Sequence, residues 1–300
     1  MKAMILAAGF GTRLKPLTKK CPKALMPVAN RPLLERNIKY LRSVGVQEIV
    51  INAHHLPEQI LAYVGDGGGF GFPIQVRVEP EILGTGGGIR NVSDFWDDAP
   101  FIVMNGDILT DIDLEAAYKA HLESGALATL VLHAREPFNQ VLVGPQGNIR
   151  DIAGTNLPGR VAFTGIHIID PALVRYIPTN RFHSIVDSYR MLIASGETIH
   201  GYLSRGHRWH DIGTISSYLA ANRDSLGGDP FLFGNNCAVH EEVRLSDWAV
   251  IGEWCRVHEA AHVERSVLWD HVIVHEGAHV IDSVVTSFTE VREDLIGGVV

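Results

Sequence analysis

The chain has 300 residues, 46% of them hydrophobic and 20% charged, and its formal net charge is −8. An acidic balance excludes a general nucleic-acid binder, which needs a basic face, and this composition excludes a disordered or fibrous chain. No apolar run reaches the roughly 18–20 residues that span a bilayer, and three widely spaced cysteines make no disulfide framework.

The opening apolar stretch, Met1–Leu6, is too short for a signal peptide, so a cytoplasmic protein is expected. The net charge hides an asymmetry. Residues 1–42 carry ten bases and a single acid, Glu35, which makes that segment +9 and the other 258 residues −17. Six of the seven lysines lie in it. A cationic segment on an acidic body fits either a small, highly anionic ligand bound at one place or a solvated face.

In chain order, residues 2–7 (KAMILA) read as a buried strand closed by Gly9 and Gly11. Leu33, Leu34, Ile38, Leu41 and Val44 recur with a helical period over residues 32–44. EIVINA (48–53) reads as a strand, and 57–64 as a helix with proline at its start. Strands follow at 74–78, 101–105, 127–133 and 162–169, with helices at 86–92, 113–123 and 184–195. Such alternation predicts an α/β fold, a mostly parallel sheet with helices on both faces.

The character changes at Gly227-Gly228-Asp229-Pro230, a boundary that divides the chain into domains 1–228 and 229–300. Beyond it, apolar residues recur about every six: Val239, Leu245, Ile251, Val257, Val263, then Leu268 after a slip of one, then Val274 and Val280. A second series, including Val243, Ala249, Cys255, Ala261 and Val267, runs four residues ahead. This is the pattern of a hexapeptide β-helix, short at three to four coils. Cys237 and Cys255, one coil apart, are expected to stack inward as thiols. His240, His258 and His275 should form one column and His262 and His279 another, read as solvated ladders rather than metal sites.

The chemistry concentrates in LAAGFGTRLKPLT (Leu6–Thr18). Gly9 and Gly11 follow a buried strand and allow a tight turn with close backbone approach to a ligand. Leu14 stands where a dinucleotide-binding fingerprint would have its third glycine, and no Gly-Lys-Ser/Thr ending marks a Walker loop. Arg13, Lys15, Lys19, Lys20 and Lys23 are braced by Pro16, Pro22 and Pro27, as preorganised charge stabilisation requires. Asp107 follows the apolar strand 101–105, at the strand end where open α/β sheets bind ligands. Asp111 and Asp113 read as a turn and a helix cap. His207 and His210 beside Asp211 have a spacing that a transition metal could use.

This segment, with PKALMPV (Pro22–Val28), LGTGGG (Leu83–Gly88), NGD (Asn105–Asp107), FTGIHIID (Phe163–Asp170) and WHDIGT (Trp209–Thr214), resembles the sugar-1-phosphate nucleotidyltransferases. The motifs occur in that family's order over residues 3–214. Mannose-1-phosphate guanylyltransferases and glucose-1-phosphate nucleotidyltransferases with a C-terminal left-handed β-helix are similar over the whole chain. The muramate-1-phosphate uridylyltransferases are similar over the catalytic part. The resemblance implies a Rossmann-like nucleotide-diphospho-sugar transferase fold followed by the β-helix. It implies a reaction between a nucleoside triphosphate and a sugar 1-phosphate, with Mg²⁺ as cofactor. Arg13, Lys23 and Asp107 then take catalytic roles, and Leu6, Ala8, Gly9, Gly11, Thr12, Gly86 and Gly87 contact the nucleotide. Asp107 and Asp211 are the metal carboxylates, which makes Mg²⁺ more economical than zinc at Asp211.

The best match is a mannose-1-phosphate guanylyltransferase-like activity. Uridylyl or thymidylyl transfer to a glucose, N-acetylmuramate or heptose type of sugar 1-phosphate stays open, as does a catalytically silent regulatory or assembly subunit. The Glu-Lys-Pro element that many members carry before the TGI strand is absent, and Arg150, Asp151 and Arg160 are the candidates to replace it. A homo-oligomer formed through the β-helix is expected, because open coil ends invite pairing. A membrane or a nucleic-acid polymer is not expected as a partner.

Overall fold

A computed structural model describes residues Met1–Val300. The chain forms two compact units, one of Met1–Phe10 with Arg36–Asp211 and the other of Gly11–Glu35 with Ile212–Val300.

The first unit is built on a nine-stranded sheet. Its centre is β1 (Lys2–Leu6), flanked by β2 (Glu48–Ala53) and then β3 (Ile74–Val78) on one side and by β4 (Phe101–Asn105) on the other, all parallel. Met4, Ile5, Val50, Ile51, Val103 and Met104 are fully buried, which is why these strands read as unbroken apolar runs. The intervening helices are α1 (Leu33–Ser43), α2 (Pro57–Val64) and α3 (Gly84–Asn91). The chain moves outward from β1 to β2 and β3, then returns to the other side of β1 with β4. That reversal opens a crevice at the carboxyl ends of β1 and β4, where open α/β sheets bind their ligands.

The rest of this unit extends the sheet. After the short β5 (Ile108–Thr110) and α4 (Leu114–Ser124) come β6 (Ala128–His133), β7 (Asn139–Val143), β8 (Ile149–Ile152) and the long β9 (Val161–Ile169). Strand β9 runs antiparallel to β4, β6 and β7, and β10 (Ile199–Leu203) follows α5 (Ile185–Ala194) to pair parallel with β6. Asp113 caps α4 as expected, its carboxylate accepting the Ala116 N–H at 2.9 Å.

His167 of β9 and Tyr189 of α5 are hydrogen-bonded to each other in the core of this unit. Burial pushes the His167 imidazole down from 6.5 to about 3. In the unfolded chain the ordinary histidine value applies, so between these limits the unfolded state binds the proton and the folded state does not. Stability from this group is therefore complete above pH 6.5 and is lost as pH falls toward 3. The expected slope is about 1.4 kcal/mol per pH unit. Urea unfolding at about pH 7, 6 and 5 should show it, and a His167→Gln variant should show a shallower dependence.

In the second unit, α6 (Ile215–Asp224) precedes a parallel β-helix. Three ladders form its faces. One stacks 238–239, 256–257, 273–274 and 290–291, a second stacks 244–246, 262–264 and 279–281, and a third stacks 231–233, 249–251, 266–268 and 284–285. Ile251, Val257, Val263, Leu268, Val274 and Val280, spaced by about six, are all buried in its core. The slip of one lies at a corner: Ser246 faces Glu264 but Ala249 faces Ser266, so the later coil has one residue fewer there.

The corners use left-handed backbone. Asn236, Trp254, His271 and Phe288 share φ near +60°, as do Asp247, Arg265 and Asp282 at between +45° and +57°. Cost at such non-glycine positions is offset by contacts along each column. Trp254, His271 and Phe288 are stacked, and Arg265 bridges Asp282 at 2.6 and 2.8 Å. The histidine columns form in part: His258 stacks on His275 at 5.8 Å and His262 meets His279 edge-on at 5.7 Å, while His240 accepts the Glu242 N–H at 3.3 Å. Cys237 and Cys255 are thiols, donating to the carbonyls of Gly252 and Trp269.

Candidate active site

Candidate residues lie in both units. In the first, β1 ends at Leu6 and the chain turns through Ala8 and Gly9 at the switch crevice. Gly9 is exposed, with open space where a Cβ would stand, so its backbone can be approached from outside. Leu6 pairs with Asn105 at the end of β4, and the next N–H, that of Gly106, donates to the Leu6 carbonyl at 2.8 Å. A Cβ at Gly106 would lie 2.9 Å from that same oxygen. The glycine of the NGD motif therefore lets the chain hug the end of β1 and delivers Asp107 to the crevice.

The second carboxylate arrives by strand pairing. Strand β11 (Trp209–Asp211) runs antiparallel to β5, with Asp211 opposite Ile108, the neighbour of Asp107. Asp107 and Asp211, far apart in sequence, are thus one register step apart along the backbone. Both are half-buried. Oxygen donors in this number suit Mg²⁺, which binds through one or two carboxylates and keeps waters and phosphate oxygens for its other positions. No group of three or more His, Cys, Asp and Glu side chains assembles into a metal-binding cluster.

Strand β11 is held from several sides. The buried Trp209 donates its indole N–H to the Thr164 carbonyl at 3.0 Å, and Arg135 donates to the Trp209 carbonyl. Asp111 accepts the Arg208 backbone N–H at 2.7 Å and its guanidinium at 2.8 Å. Partial burial pushes the Asp111 carboxyl up, but the Arg208 contacts outweigh it and leave it below the ordinary range. Thr164 and Gly165 form a bulge in β9: between Phe163 and His167 the strand has two more residues than β6 between Leu132 and Leu130. Gly165 sits at φ +78°, and a Cβ there would fall 2.5 Å from Asn105 Nδ2. The glycine of FTGI is needed by this contact with the end of β4.

The glycine run of LGTGGG has a use that its sequence did not suggest. Its residues open α3, yet Gly86, Gly87 and Gly88 are buried against the chain itself. The Gly86 and Gly87 N–H groups donate to the His183 carbonyl at 2.9 and 3.2 Å, and the His183 N–H donates to the Leu83 carbonyl at 2.8 Å. A Cβ on Gly86 would strike the His183 ring, and one on Gly87 the Arg181 carbonyl. On this face of the glycines the close approach is by segment 181–185. That clasp was not legible, because it joins segments far apart along the chain.

Of the candidates to replace the Glu-Lys-Pro element, Arg160 and Asp151 pair with each other at 2.6 Å, and Arg160 is also tied to the Gln140 carbonyl at 2.9 Å. Arg150 is exposed on β8.

In the second unit, Gly11 adopts φ +61°, and its carbonyl accepts from the Thr18 hydroxyl at 2.8 Å and the Leu14 N–H at 2.9 Å. Three short 3₁₀ turns follow, at Thr12–Leu14, Leu17–Lys19 and Lys23–Leu25. Leu14, Leu17, Ala24, Met26 and Val28 are buried beneath them, while Thr12, Arg13, Lys15, Lys19 and Lys20 are exposed and Lys23 is half-buried. The apolar residues anchor the loop and its bases project from it. Two relays fix its far end: Ala29 N–H to the buried Asn222 at 2.8 Å, and Trp269 Nε1 to the Tyr218 hydroxyl at 2.9 Å, which donates to the Pro27 carbonyl at 2.5 Å. Asn30 also donates to the Ile251 carbonyl at 2.8 Å, so the basic segment is mounted on α6 and on the β-helix.

Known proteins resemble this chain in sequence and in fold. A UTP–glucose-1-phosphate uridylyltransferase of Synechocystis sp. is 29% identical over 90% of this chain and 83% of its own length. A mannose-1-phosphate guanylyltransferase of Mycobacterium tuberculosis is 28% identical over 90% of this chain and 80% of its own. An N-acetylmuramate alpha-1-phosphate uridylyltransferase of Neisseria meningitidis is 35% identical over 72% of this chain and 94% of its own. The fold matches a Bacillus anthracis crystal structure described as a candidate glucose-1-phosphate thymidylyltransferase, with a TM-score of 0.67 at 24% identity over 76% of this chain and 96% of that one. The nucleotidyl transferase family model matches residues 2–227, and the chain belongs to the nucleotidyl transferase family.

Proposed function

We propose that this protein condenses a nucleoside triphosphate with a sugar 1-phosphate, giving a nucleotide sugar and pyrophosphate. The observation that supports the reading is the pairing of β11 with β5, in which Asp211 faces Ile108, the residue after Asp107. In the reaction a phosphate oxygen of the sugar 1-phosphate attacks the α-phosphorus in line and the bond to pyrophosphate breaks. Both reactants are anionic, so alignment and charge neutralisation supply most of the catalysis. Arg13 is suited to bind the departing pyrophosphate bidentately, and Lys23 to hold a phosphate near the reacting phosphorus. Leu6, Ala8, Gly9, Gly11 and Thr12 offer backbone to the nucleotide, with Gly86 and Gly87 shaping the wall behind it. Mg²⁺ held by Asp107 and Asp211 would supply charge neutralisation at the phosphates.

Guanylyl transfer to mannose 1-phosphate is the first pairing to assay, supported by the mycobacterial relative, whose likeness spans 90% of the chain. Uridylyl transfer to glucose 1-phosphate has equal coverage behind it in the Synechocystis relative. Residues 1–228 form the proposed catalytic part and 229–300 a left-handed β-helix of hexapeptide repeats through which the chain self-associates. Three cysteines kept as thiols suit a reducing cytoplasm. The test is pyrophosphate release with each nucleoside triphosphate against a panel of sugar 1-phosphates in Mg²⁺. Release with at least one pair is expected, and none with any pair would remove the proposal. A monomeric mass in light scattering at micromolar concentration would refute self-association.

A further inference from the structure

A row of hydrogen bonds links three segments around the crevice. The Ala7 N–H donates to Asn52 Oδ1 at 2.8 Å, Asn52 Nδ2 donates to Glu79 Oε1 at 2.7 Å, and the Leu83 N–H donates to Glu79 Oε2 at 3.1 Å. Asn52 is 2% exposed and Glu79 1%. The backbone of Glu79 is pinned as well, its N–H donating to the Ala53 carbonyl at 2.7 Å and its carbonyl meeting His54 Nδ1 at 2.8 Å. Gly88 of α3 packs against the pair, since a Cβ there would lie 2.7 Å from Asn52 Nδ2 and 2.9 Å from Glu79 Oε1. The row thus joins the turn after β1, the end of β2 and the entry to α3.

The row has a direction that its two ends impose. Both ends are backbone N–H groups, which only donate. Asn52 must turn its oxygen to Ala7, so its amide N–H₂ faces residue 79. Residue 79 then receives one donor from Asn52 and one from Leu83, and must accept with both of its terminal atoms. A carboxylate can do this. A glutamine, with one acceptor and one donor group, leaves two donors facing each other wherever it is placed. Turning Asn52 over only moves the mismatch to Ala7. A buried mismatch of this kind is costly, because no water reaches the unpaired groups.

We propose that Glu79 is a positioning residue which, with Asn52, sets the spacing between the β1 turn and the α3 glycine run, and so the fit of the nucleoside triphosphate. The inference rests on the proposed function, since it reads those two segments as the nucleotide site. The same logic says which repair works. When Asn52→Asp and Glu79→Gln are combined, the carboxylate now at position 52 accepts from the Ala7 N–H and from the amide now at position 79. The oxygen of that amide accepts from the Leu83 N–H. Every atom is satisfied again with the central bond reversed.

The experiment compares wild type, Glu79→Gln, Asn52→Asp and the double variant Asn52→Asp/Glu79→Gln, reading thermal midpoint, kcat, and KM for each substrate. Each single variant should lower the midpoint and raise KM for the nucleoside triphosphate by about tenfold or more, with a smaller change in KM for the sugar 1-phosphate. The double variant should return both midpoint and nucleotide KM to near wild type. A purely structural role would move the midpoint and leave the ratio of the two KM values unchanged, which overturns the proposal. Wild-type nucleotide KM in Glu79→Gln overturns it too, as does a double variant no better than its parents. Absence of turnover in wild type itself would instead remove the proposed function. The order of thermal midpoints would still report whether the row has the stated polarity.

Discussion

Asp107→Asn is expected to abolish Mg²⁺-dependent turnover while the protein stays folded. The substitution keeps the shape of the side chain and removes its negative charge. Asp107 follows the NGD turn, whose position is set by the Gly106 N–H bond to the Leu6 carbonyl and by the pairing of β4 with β1. None of those backbone contacts needs the carboxylate. What is lost is one of the two proposed oxygen ligands for a hard cation that accepts neutral amide oxygen poorly in place of a charged one. With only two protein carboxylates proposed as ligands, losing one leaves too little negative charge to hold the ion against water. The expected fall in kcat is about 10³-fold or greater. Pyrophosphate release across a Mg²⁺ titration measures it, with the thermal midpoint as the control for folding. Turnover within a few-fold of wild type at saturating Mg²⁺ would show that Asp107 is not a metal ligand.

Arg13→Ala is expected to lower turnover by about 10²–10³-fold, the usual effect of deleting one preorganised group that meets charge developing in the transition state. Arg13 is exposed at the turn Thr12–Leu14, and the packing of that turn comes from Leu14 and from Thr18 bonding to Gly11. Truncation should therefore leave stability within about 0.5 kcal/mol, as for a surface position away from such features. Arg13→Lys separates charge from geometry. A lysine restores the charge but lacks the planar fork that binds two phosphate oxygens at once. An intermediate rate for lysine is the expected result. Wild-type rates in Arg13→Ala would move the pyrophosphate contact to another base of the segment.

Sequence and structure agree best where burial is complete. Strands β1, β2 and β4 and helices α1 and α2 were legible because unbroken apolar runs and a 3.6-residue period are what two-sided and one-sided burial leave behind. The β-helix was legible for a related reason: Ile251, Val257 and Val263 must each face one thin core, so the coil writes its period into the chain. Even the slip before Leu268 was visible, although its meaning, a corner shortened by one residue opposite Asp247–Trp248, came from the ladder register. Strands β5, β7, β8 and β11 left no such trace. They are three to five residues long, and their pairing is decided by partners elsewhere in the chain.

The candidate site divides in the same way. The residue types and the turns that carry them, Gly9, Gly11, Arg13, Lys23, Asp107 and Asp211, were readable because local backbone freedom and charge are properties of short segments. Their meaning as a charge distribution was readable too: a +9 segment carried on a −17 body. Only the tertiary structure decided that Asp211 lies one register step from Asp107, that segment 181–185 packs on the α3 glycines, and that the basic loop is mounted on α6 and the β-helix. It alone gave the Asn52–Glu79 row its direction. The reason is physical: these arrangements depend on pairings between groups as far as 27 to 221 residues apart, and a hydrogen bond or a strand register at that separation leaves no periodicity in the sequence.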